Sequence, residues 1–353
     1  MRRALDAATL ASPSPNPPVG AVVVRDGAVV GVGHHARVGA PHAEAAALHE
    51  AGDRARGATL YVTLEPCNHL GRTPPCTEAI VRAGVARVVY AVDDPNPHVA
   101  GGGASRLREA GVEVVRGFDA LQAEADALLA PWKTFITLGR PRVTLKLAMS
   151  LDGRIATRGR ESRWITSAAS RADGHALRAA HDAVLVGSGT VLADDPSLTV
   201  RDAPVRKAPV RVVVDGSLRT SADARIYDTR DAPTWLVTRR GHALSPFTDR
   251  GVTAIEVESD AQGHTSLGAT LRALAERGVV SALCEGGGGL HGALVDGGFV
   301  DGVVAYLAPT ILGGEGATMA VGGLGALGLG DALRLRWTDV RSLGDDVRLE
   351  GTR

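Results

Sequence analysis

The chain has 353 residues, 39 Lys+Arg against 39 Asp+Glu, 44% hydrophobic residues, 3% aromatics and three cysteines. At about 100–200 residues per domain this length predicts two domains, and zero net charge with so few stacking residues argues against a nucleic-acid groove or a polybasic membrane anchor. Three cysteines cannot make a disulfide framework; they point to a reducing, cytoplasmic setting in which cysteine pairs serve metals or catalysis.

Along the chain, Arg2 and Arg3 are followed by Asp6 and then by Pro13, Pro15, Pro17 and Pro18, so no signal peptide is expected. No run of 18 apolar residues predicts a membrane span. Runs at 19–24 and 28–32 flank Asp26-Gly27, a two-residue hairpin signal. Helices are expected over 42–51, 77–83, 104–110 and 121–132, and strands over 58–64, 85–92 and 112–115. Residues 138–142 read as a linker. Beyond it, strands are expected at 143–148, 183–186, 210–214, 235–237 and 282–284, with helices at 170–180 and 267–277. Short β-branched runs alternating with Ala-rich periodic segments predict α/β architecture in both halves.

His42-Ala43-Glu44 opens a helix, Pro66-Cys67 closes a strand, and Cys76 opens the next helix. His42, Cys67 and Cys76 are a three-ligand zinc set that leaves a fourth position for water, as catalytic zinc requires. Zinc brings the pKa of such a water to roughly 7, and Glu44 is then a proton carrier rather than a ligand. The competing reading is a structural zinc site, or two buried thiols beside a chance His. Such a site would need a fourth ligand: Cys284 lies in the other half of the chain, and His69 is read as facing the substrate instead.

The H-x-E and P-C pair match the zinc-deaminase signature, but the second cysteine follows the first by nine residues rather than three. That longer loop, Cys67-Asn68-His69-Leu70-Gly71-Arg72-Thr73-Pro74-Pro75-Cys76, resembles the deaminase domain of the bifunctional riboflavin-biosynthesis deaminase/reductase family. Asn16-Pro17-Pro18-Val19-Gly20-Ala21 is similar to the substrate loop of deaminase-fold proteins. The resemblance implies that Asn16, His35, His69 and Arg72 hold the pyrimidine or its phosphate, and that Asp94 and Asn96 contact the sugar phosphate. Taken alone, Asp94-Pro95-Asn96-Pro97 reads as a rigid turn.

In the second half, Gly187-Ser188-Gly189 follows a strand but lacks the third glycine of a Rossmann fingerprint. Glu285-Gly286-Gly287-Gly288-Gly289-Leu290-His291-Gly292 follows a buried strand and precedes a helical run, where backbone N–H groups can approach an anion. A bare glycine run is otherwise a flexible loop. Segments 145–154, 162–167, 189–201 and 307–314, in that order, resemble the reductase of the same pathway, a dihydrofolate-reductase-like fold. The resemblance implies NADPH contacts from Trp164, Thr190, Asp194, Gly287, Gly288, Gly289, Leu290, His291 and Gly292. It implies substrate contacts from Ser162, Arg178, Leu198, Arg201 and Glu285, with Lys146 at the sugar or its phosphate. An Arg178/Arg201 pair suits a dianionic phosphate. On the residues alone, Arg178 reads as a solvated helix face, Trp164 as core and Cys284 as a buried apolar thiol.

The expectation is therefore an α/β protein: an N-terminal cytidine-deaminase-like three-layer α/β/α domain (1–139), then a dihydrofolate-reductase-like α/β domain (140–353). It would use Zn2+ and NADPH on a small phosphorylated pyrimidine, with no nucleic acid and no membrane as partner; a homo-oligomer is left open. A nucleic-acid or nucleoside deaminase with an unrelated tail is disfavoured by the inter-cysteine loop, the balanced charge and the second domain. A scaffold that has lost its chemistry is disfavoured by the intact zinc set and Glu44.

Overall fold

The chain opens on an element its sequence hardly announces, the eight-residue helix α1 (Arg2–Thr9), which has no side-chain cap and buries Ala4, Leu5, Ala7 and Ala8. So short a helix gains its stability from packing rather than from propensity. The computed structural model describes residues 1–11, 13–70, 74–96, 102–117, 119–205 and 207–353. Contacts divide the chain into two units, Met1–Arg140 and Pro141–Arg353.

In the first unit, β1 (Gly20–Arg25) and β2 (Ala28–His34) form a hairpin whose turn residues Asp26 and Gly27 both take positive φ, 50° and 76°. There follow α2 (Ala43–Ala51), β3 (Thr59–Leu64), α3 (Cys76–Arg82), β4 (Arg87–Val92), α4 (Gly102–Glu109), β5 (Glu113–Arg116) and α5 (Asp119–Leu138). The sheet order is β2-β1-β3-β4-β5, antiparallel through β2, β1 and β3 and parallel from β3 to β5. Helices cover both faces, and strand glycines show why. A Cβ on Gly20 would stand 2.0 Å from the Ala4 carbonyl oxygen in α1, and one on Gly33 would stand 2.3 Å from that of Ala43 in α2. Gly33 pairs with Ala21, the neighbour of Gly20 on β1, so α1 and α2 lie on opposite faces of the sheet.

The second unit contains β6 (Arg142–Ser150), β7 (Arg154–Ala156), α6 (Ala168–Ala179), β8 (Ala183–Gly187), α7 (Ser188–Asp194), β9 (Val210–Val214), β10 (Thr234–Arg239), α8 (Ser245–Thr248) and β11 (Thr253–Val257). It continues with α9 (Leu267–Glu276), β12 (Ser281–Gly286), α10 (Gly288–Asp296), β13 (Gly302–Ala308), β14 (Thr318–Met319), β15 (Arg336–Leu343) and β16 (Asp346–Thr352). Nine strands form one sheet, β11-β10-β9-β8-β12-β6-β13-β16-β15, parallel except at β16 and β15. Strands β8, β9 and β12 are buried on both faces along most of their length, as parallel strands covered by helices must be, whereas β6 alternates buried with half-buried residues. From β8 the chain proceeds to β9 on one side, and from β12 it crosses β6 to β13 on the other. The strand order thus reverses between β8 and β12, and the crevice beyond the carboxyl ends of such strands is where open α/β sheets bind ligands. Among the described residues, no helix is long and apolar enough to cross a membrane.

Candidate functional sites

In the first unit, the carboxyl end of β3 and the N-termini of α2 and α3 converge on one cleft of ≈ 370 Å³. His42 is the N-cap of α2, and its extended backbone (ψ 159°) starts the helix at Ala43, which puts Glu44 in the first turn. His42 Nδ1 lies 3.3 Å from Cys76 Sγ and 3.5 Å from Cys67 Sγ. A tetrahedral zinc with Zn–S ≈ 2.3 Å and Zn–N ≈ 2.0–2.1 Å would separate an N and an S ligand by roughly 3.5 Å. The donor set therefore has the size and chemistry of a zinc site. The Cys76 backbone N–H donates to Cys67 Sγ at 3.4 Å, a bond that favours thiolate. The hydrogen bond between the two thiols pulls Cys67 down and pushes Cys76 up, so a single thiolate is already favoured. Glu44 is 4% exposed, and burial, reinforced by the Cys67 charge, pushes its carboxyl up to about 7.

Beside this cluster, His35 is buried and fixed at both ring nitrogens. Nδ1 faces the Pro41 carbonyl oxygen at 3.1 Å, so it carries the proton and donates, and Nε2 accepts from Asn16 Nδ2 at 2.9 Å. Burial lowers its pKa, which keeps the ring neutral. The His35 and His42 rings meet edge-on with centroids 5.2 Å apart. Asn16, His69, Asp94 and Asn96 line the same cleft, as the sequence led one to expect; His69 is exposed and is not part of the His42–Cys67–Cys76 cluster. Arg72 lies outside the described residues. Asp94 accepts the Asn96 backbone N–H at 2.8 Å, so the turn and the lining role coexist. Sequence reasoning missed Glu65: this buried carboxylate accepts backbone N–H groups from Ala104 at 2.9 Å and Asp94 at 3.4 Å, tying β3 to α4 and to the loop after β4. A charged residue closing an otherwise buried strand was the available signal.

In the second unit, a pocket of ≈ 650 Å³ opens at the carboxyl ends of β8 and β12, where the strand order reverses. It gathers Lys146, Ser162, Trp164, Arg178, Thr190, Asp194, Leu198, Arg201 and Glu285, all singled out from sequence. Arg178 is no solvated helix residue. Its Nε and Nη2 grip both oxygens of Glu285, the latter bond at 2.9 Å, and its Nη1 donates to the Thr199 carbonyl at 3.1 Å. Burial alone would raise the Glu285 pKa, but the Arg178 charge and hydrogen bonds, with Lys146 Nζ at 3.8 Å, hold it at about 2. Arg178 thus orients Glu285 with the fork that a phosphate pairing with Arg201 would have used. Trp164 is no core residue either: it is 69% exposed, with the Arg171 guanidinium 4.5 Å from its ring centroid. Ser162 Oγ donates to Asp194 at 3.3 Å.

The glycine run starts α10, and two of its glycines answer to packing. A Cβ on Gly288 would stand 2.3 Å from the Met319 carbonyl oxygen, and one on Gly292 would stand 2.2 Å from Gly322. The segment after β14 crosses the helix there, tied by the Gly322 N–H to the Gly288 carbonyl at 2.9 Å. Gly289 faces open space, and Gly287 lies against Thr190. His291, expected from sequence at the cofactor, is 3% exposed, with its ring against the carbonyl oxygens of Ala320 at 2.9 Å and Cys284 at 3.2 Å. Its side chain supports the loop. Cys284 is fully buried, and burial pushes its thiol up to about 12.

Residues 1–92 match the family model of the cytidine and deoxycytidylate deaminase zinc-binding region, and residues 141–349 match that of the RibD C-terminal domain. The chain is 44% identical to the riboflavin biosynthesis protein RibD of Aquifex aeolicus over 334 residues, covering 94% of this chain and 91% of that one. It is 42% identical to the RibD of Escherichia coli, covering 95% and 93%. Among solved structures, Acinetobacter baumannii RibD superposes with a TM-score of 0.86 at 37% identity, covering 99% of this chain and 97% of that one. A Thermotoga maritima diaminohydroxyphosphoribosylaminopyrimidine deaminase/5-amino-6-(5-phosphoribosylamino)uracil reductase gives 0.86 at 36%, covering 100% and 97%. The cleft at His42, Cys67, Cys76 and Glu44 and the pocket at Glu285 are thus set in a protein that belongs to the RibD family, bifunctional enzymes of riboflavin biosynthesis joining a zinc-dependent deaminase and an NADPH-dependent reductase on one chain.

Proposed function

We propose that residues 1–139 hydrolyse the 2-amino group of 2,5-diamino-6-(5-phosphoribosylamino)pyrimidin-4(3H)-one, and that residues 140–353 then reduce the ribosyl chain to give 5-amino-6-(5-phosphoribitylamino)uracil. The observation that carries this reading is Glu44, a buried carboxyl with a raised pKa beside three metal-ligating atoms in a cleft of ≈ 370 Å³. His42 Nδ1 and the sulfurs of Cys67 and Cys76 would hold Zn2+, which when bound supplies a Lewis acid and a water activated at neutral pH.

Glu44 takes a proton from the attacking water and delivers protons to the ring nitrogen and to the departing amino group. The C2–N bond breaks, a C2 carbonyl forms, and ammonia leaves. A carboxyl poised near neutral pH can both accept and return that proton. Neutral His35 packs at the pyrimidine and fixes the Asn16 amide by their mutual hydrogen bond, and the Asn16 carbonyl oxygen and second amide hydrogen orient the ring, so little ordering remains to be done on binding. His69, Arg72, Asp94 and Asn96 hold the ribosyl phosphate side.

In the reductase pocket NADPH, when bound, supplies the hydride for the ribosyl C1. Trp164, Thr190, Asp194 and the loop 287–292 hold the cofactor. Ser162, Leu198, Arg201 and Glu285 hold the substrate, with Lys146 reaching its sugar and Arg178 fixing Glu285. The substrate is a small phosphorylated pyrimidine rather than a nucleic acid, and the three thiols suit a cytoplasmic location. The test is incubation with the diaminopyrimidine phosphate, following ammonia and NADPH separately. Ammonia should appear without NADPH, and NADPH oxidation should then follow one for one. Oxidation of NADPH without prior ammonia release would contradict the order of steps.

A further inference from the structure

An indole on the wall of the reductase pocket needs something to hold it there. Trp164 is 69% exposed, so burial in a core does little to fix it. What faces it is Arg171, on α6, whose guanidinium lies 4.5 Å from the ring centroid. That guanidinium is itself tethered, since its Nη1 donates to the Thr166 carbonyl oxygen at 2.8 Å. Among the described residues no carboxylate pairs with Arg171, so its charge is left to the carbonyl and the indole. The Arg163 guanidinium is farther from the ring, at 6.0 Å, and donates to the Asp194 carbonyl instead. The backbone that carries Arg171 is fixed as well. Ser167 caps α6 by accepting the Ser170 N–H at 3.3 Å, and the buried Asp346 carboxylate accepts the Ser167 N–H at 2.7 Å and the Ser170 hydroxyl. An anion is favoured at a helix N-terminus, and here the start of β16 supplies it.

We propose that Arg171 is a positioning residue of the reductase: it holds the Trp164 ring in the orientation that meets NADPH, without itself touching the cofactor. The proposal rests on the reading that Trp164 contacts NADPH. A loose indole on an exposed segment would lose rotamer freedom when the cofactor binds. One already stacked on a tethered guanidinium loses less, and affinity rises by that preorganisation. At an exposed site the contact is worth about two- to fivefold in affinity. Arginine suits the task because its planar guanidinium can lie against the ring and donate to a carbonyl at the same time, a geometry a lysine ammonium does not reproduce. The role escapes sequence reasoning because an arginine near the start of a polar helix reads as solvated. Its two partners, Thr166 and Trp164, lie outside that helix.

The test is a double-mutant cycle on the full chain. NADPH affinity comes from a fluorescence titration, and KM for 5-amino-6-(5-phosphoribosylamino)uracil from NADPH oxidation. Arg171→Met keeps an apolar stem and removes the guanidinium. It should weaken NADPH about two- to fivefold in the wild-type background and leave KM for the uracil unchanged. Trp164→Ala should weaken NADPH by itself, and adding Arg171→Met to it should bring no further loss. Emission from Trp164, isolated as the difference from Trp164→Phe, should be quenched more readily by acrylamide in Arg171→Met than in wild type. Arg171→Lys, which keeps a cation beside the ring, should recover part of the affinity. Equal losses from Arg171→Met in both backgrounds would mean that Arg171 touches the cofactor directly, and would overturn the positioning role. Unchanged NADPH affinity in Arg171→Met, or a loss that falls on the uracil instead, would also overturn it. Unchanged affinity in Trp164→Ala would overturn the reading of Trp164 as a cofactor contact, and the proposal along with it.

Discussion

Replacing Arg178 by Met isolates the energetic role of the buried pair at the reductase pocket. Holding Glu285 at about 2 rather than at its usual 4.5 corresponds to about 3 kcal/mol of stability at neutral pH. Both side chains are largely out of water, 15% exposed for Arg178 and 7% for Glu285, so solvent screening removes little of that figure. Because the folded pKa is depressed, this stability is fully present above about pH 4.5 and is lost as pH falls toward 2. In Arg178→Met, Glu285 keeps only Lys146, 3.8 Å away, and burial now drives the carboxyl to protonate. The variant should therefore be about 3 kcal/mol less stable near pH 7.5, which for a unit of this size lowers Tm by about 6–12 °C. The deficit should shrink near pH 5, where the variant's Glu285 takes up a proton. Urea unfolding followed by tryptophan fluorescence at the two pH values, with ammonia release as the control for the first unit, measures it. A deficit below about 1 kcal/mol at pH 7.5, or one equal at both pH values, would refute the reasoning.

Metal analysis of the purified chain should find about one zinc per chain, and Cys67→Ala should lose the metal and ammonia release together. Unchanged metal content in that variant would remove Cys67 from the ligand set. Gly288→Ala puts a Cβ 2.3 Å from the Met319 carbonyl oxygen, so it should cost about 1–3 kcal/mol and weaken NADPH in a fluorescence titration. Gly289→Ala, with nothing within 4 Å of its Cβ, should stay within about 0.5 kcal/mol of wild type. Equal stability of the two variants would mean that the crossing segment does not require glycine at 288.

What the sequence revealed and what it hid follow from how local each signal is. The Asp26-Gly27 turn, the strand ending at Leu64 and the helix begun by His42 are fixed by neighbours along the chain, and the zinc set became legible because its ligands sit at the ends of those elements. The buried strands β8, β9 and β12 declared themselves as apolar runs. Helix α1 did not, since eight residues with two leading arginines carry too little periodicity. The C-terminal pair β15 and β16 was also missed: β15 is an edge strand with most of its side chains exposed, so it lacks an apolar face to read.

Site residues divide in the same way. Glu44 and Cys67 carry their chemistry in their immediate context, whereas Glu65 acquires its role from Ala104, distant in sequence. Arg178 shows the limit most plainly. Residue type and position suggested a phosphate ligand, yet a carboxylate 107 residues away occupies its fork. The glycine run carried a double meaning: an anion-binding loop and a helix crossed closely by another segment need the same residue, and only the position of Met319 and Gly322 separates the two demands.

The central claim is that two consecutive reactions occupy separate sites on this chain, with Glu44 moving the proton in the first. The most direct measurement is Glu44→Gln assayed on both substrates, with zinc content confirmed. On the diaminopyrimidine phosphate it should release no ammonia and oxidise no NADPH; on 5-amino-6-(5-phosphoribosylamino)uracil it should oxidise NADPH at the wild-type rate. Ammonia release by the zinc-loaded variant, or loss of NADPH oxidation on the uracil substrate, would contradict the account.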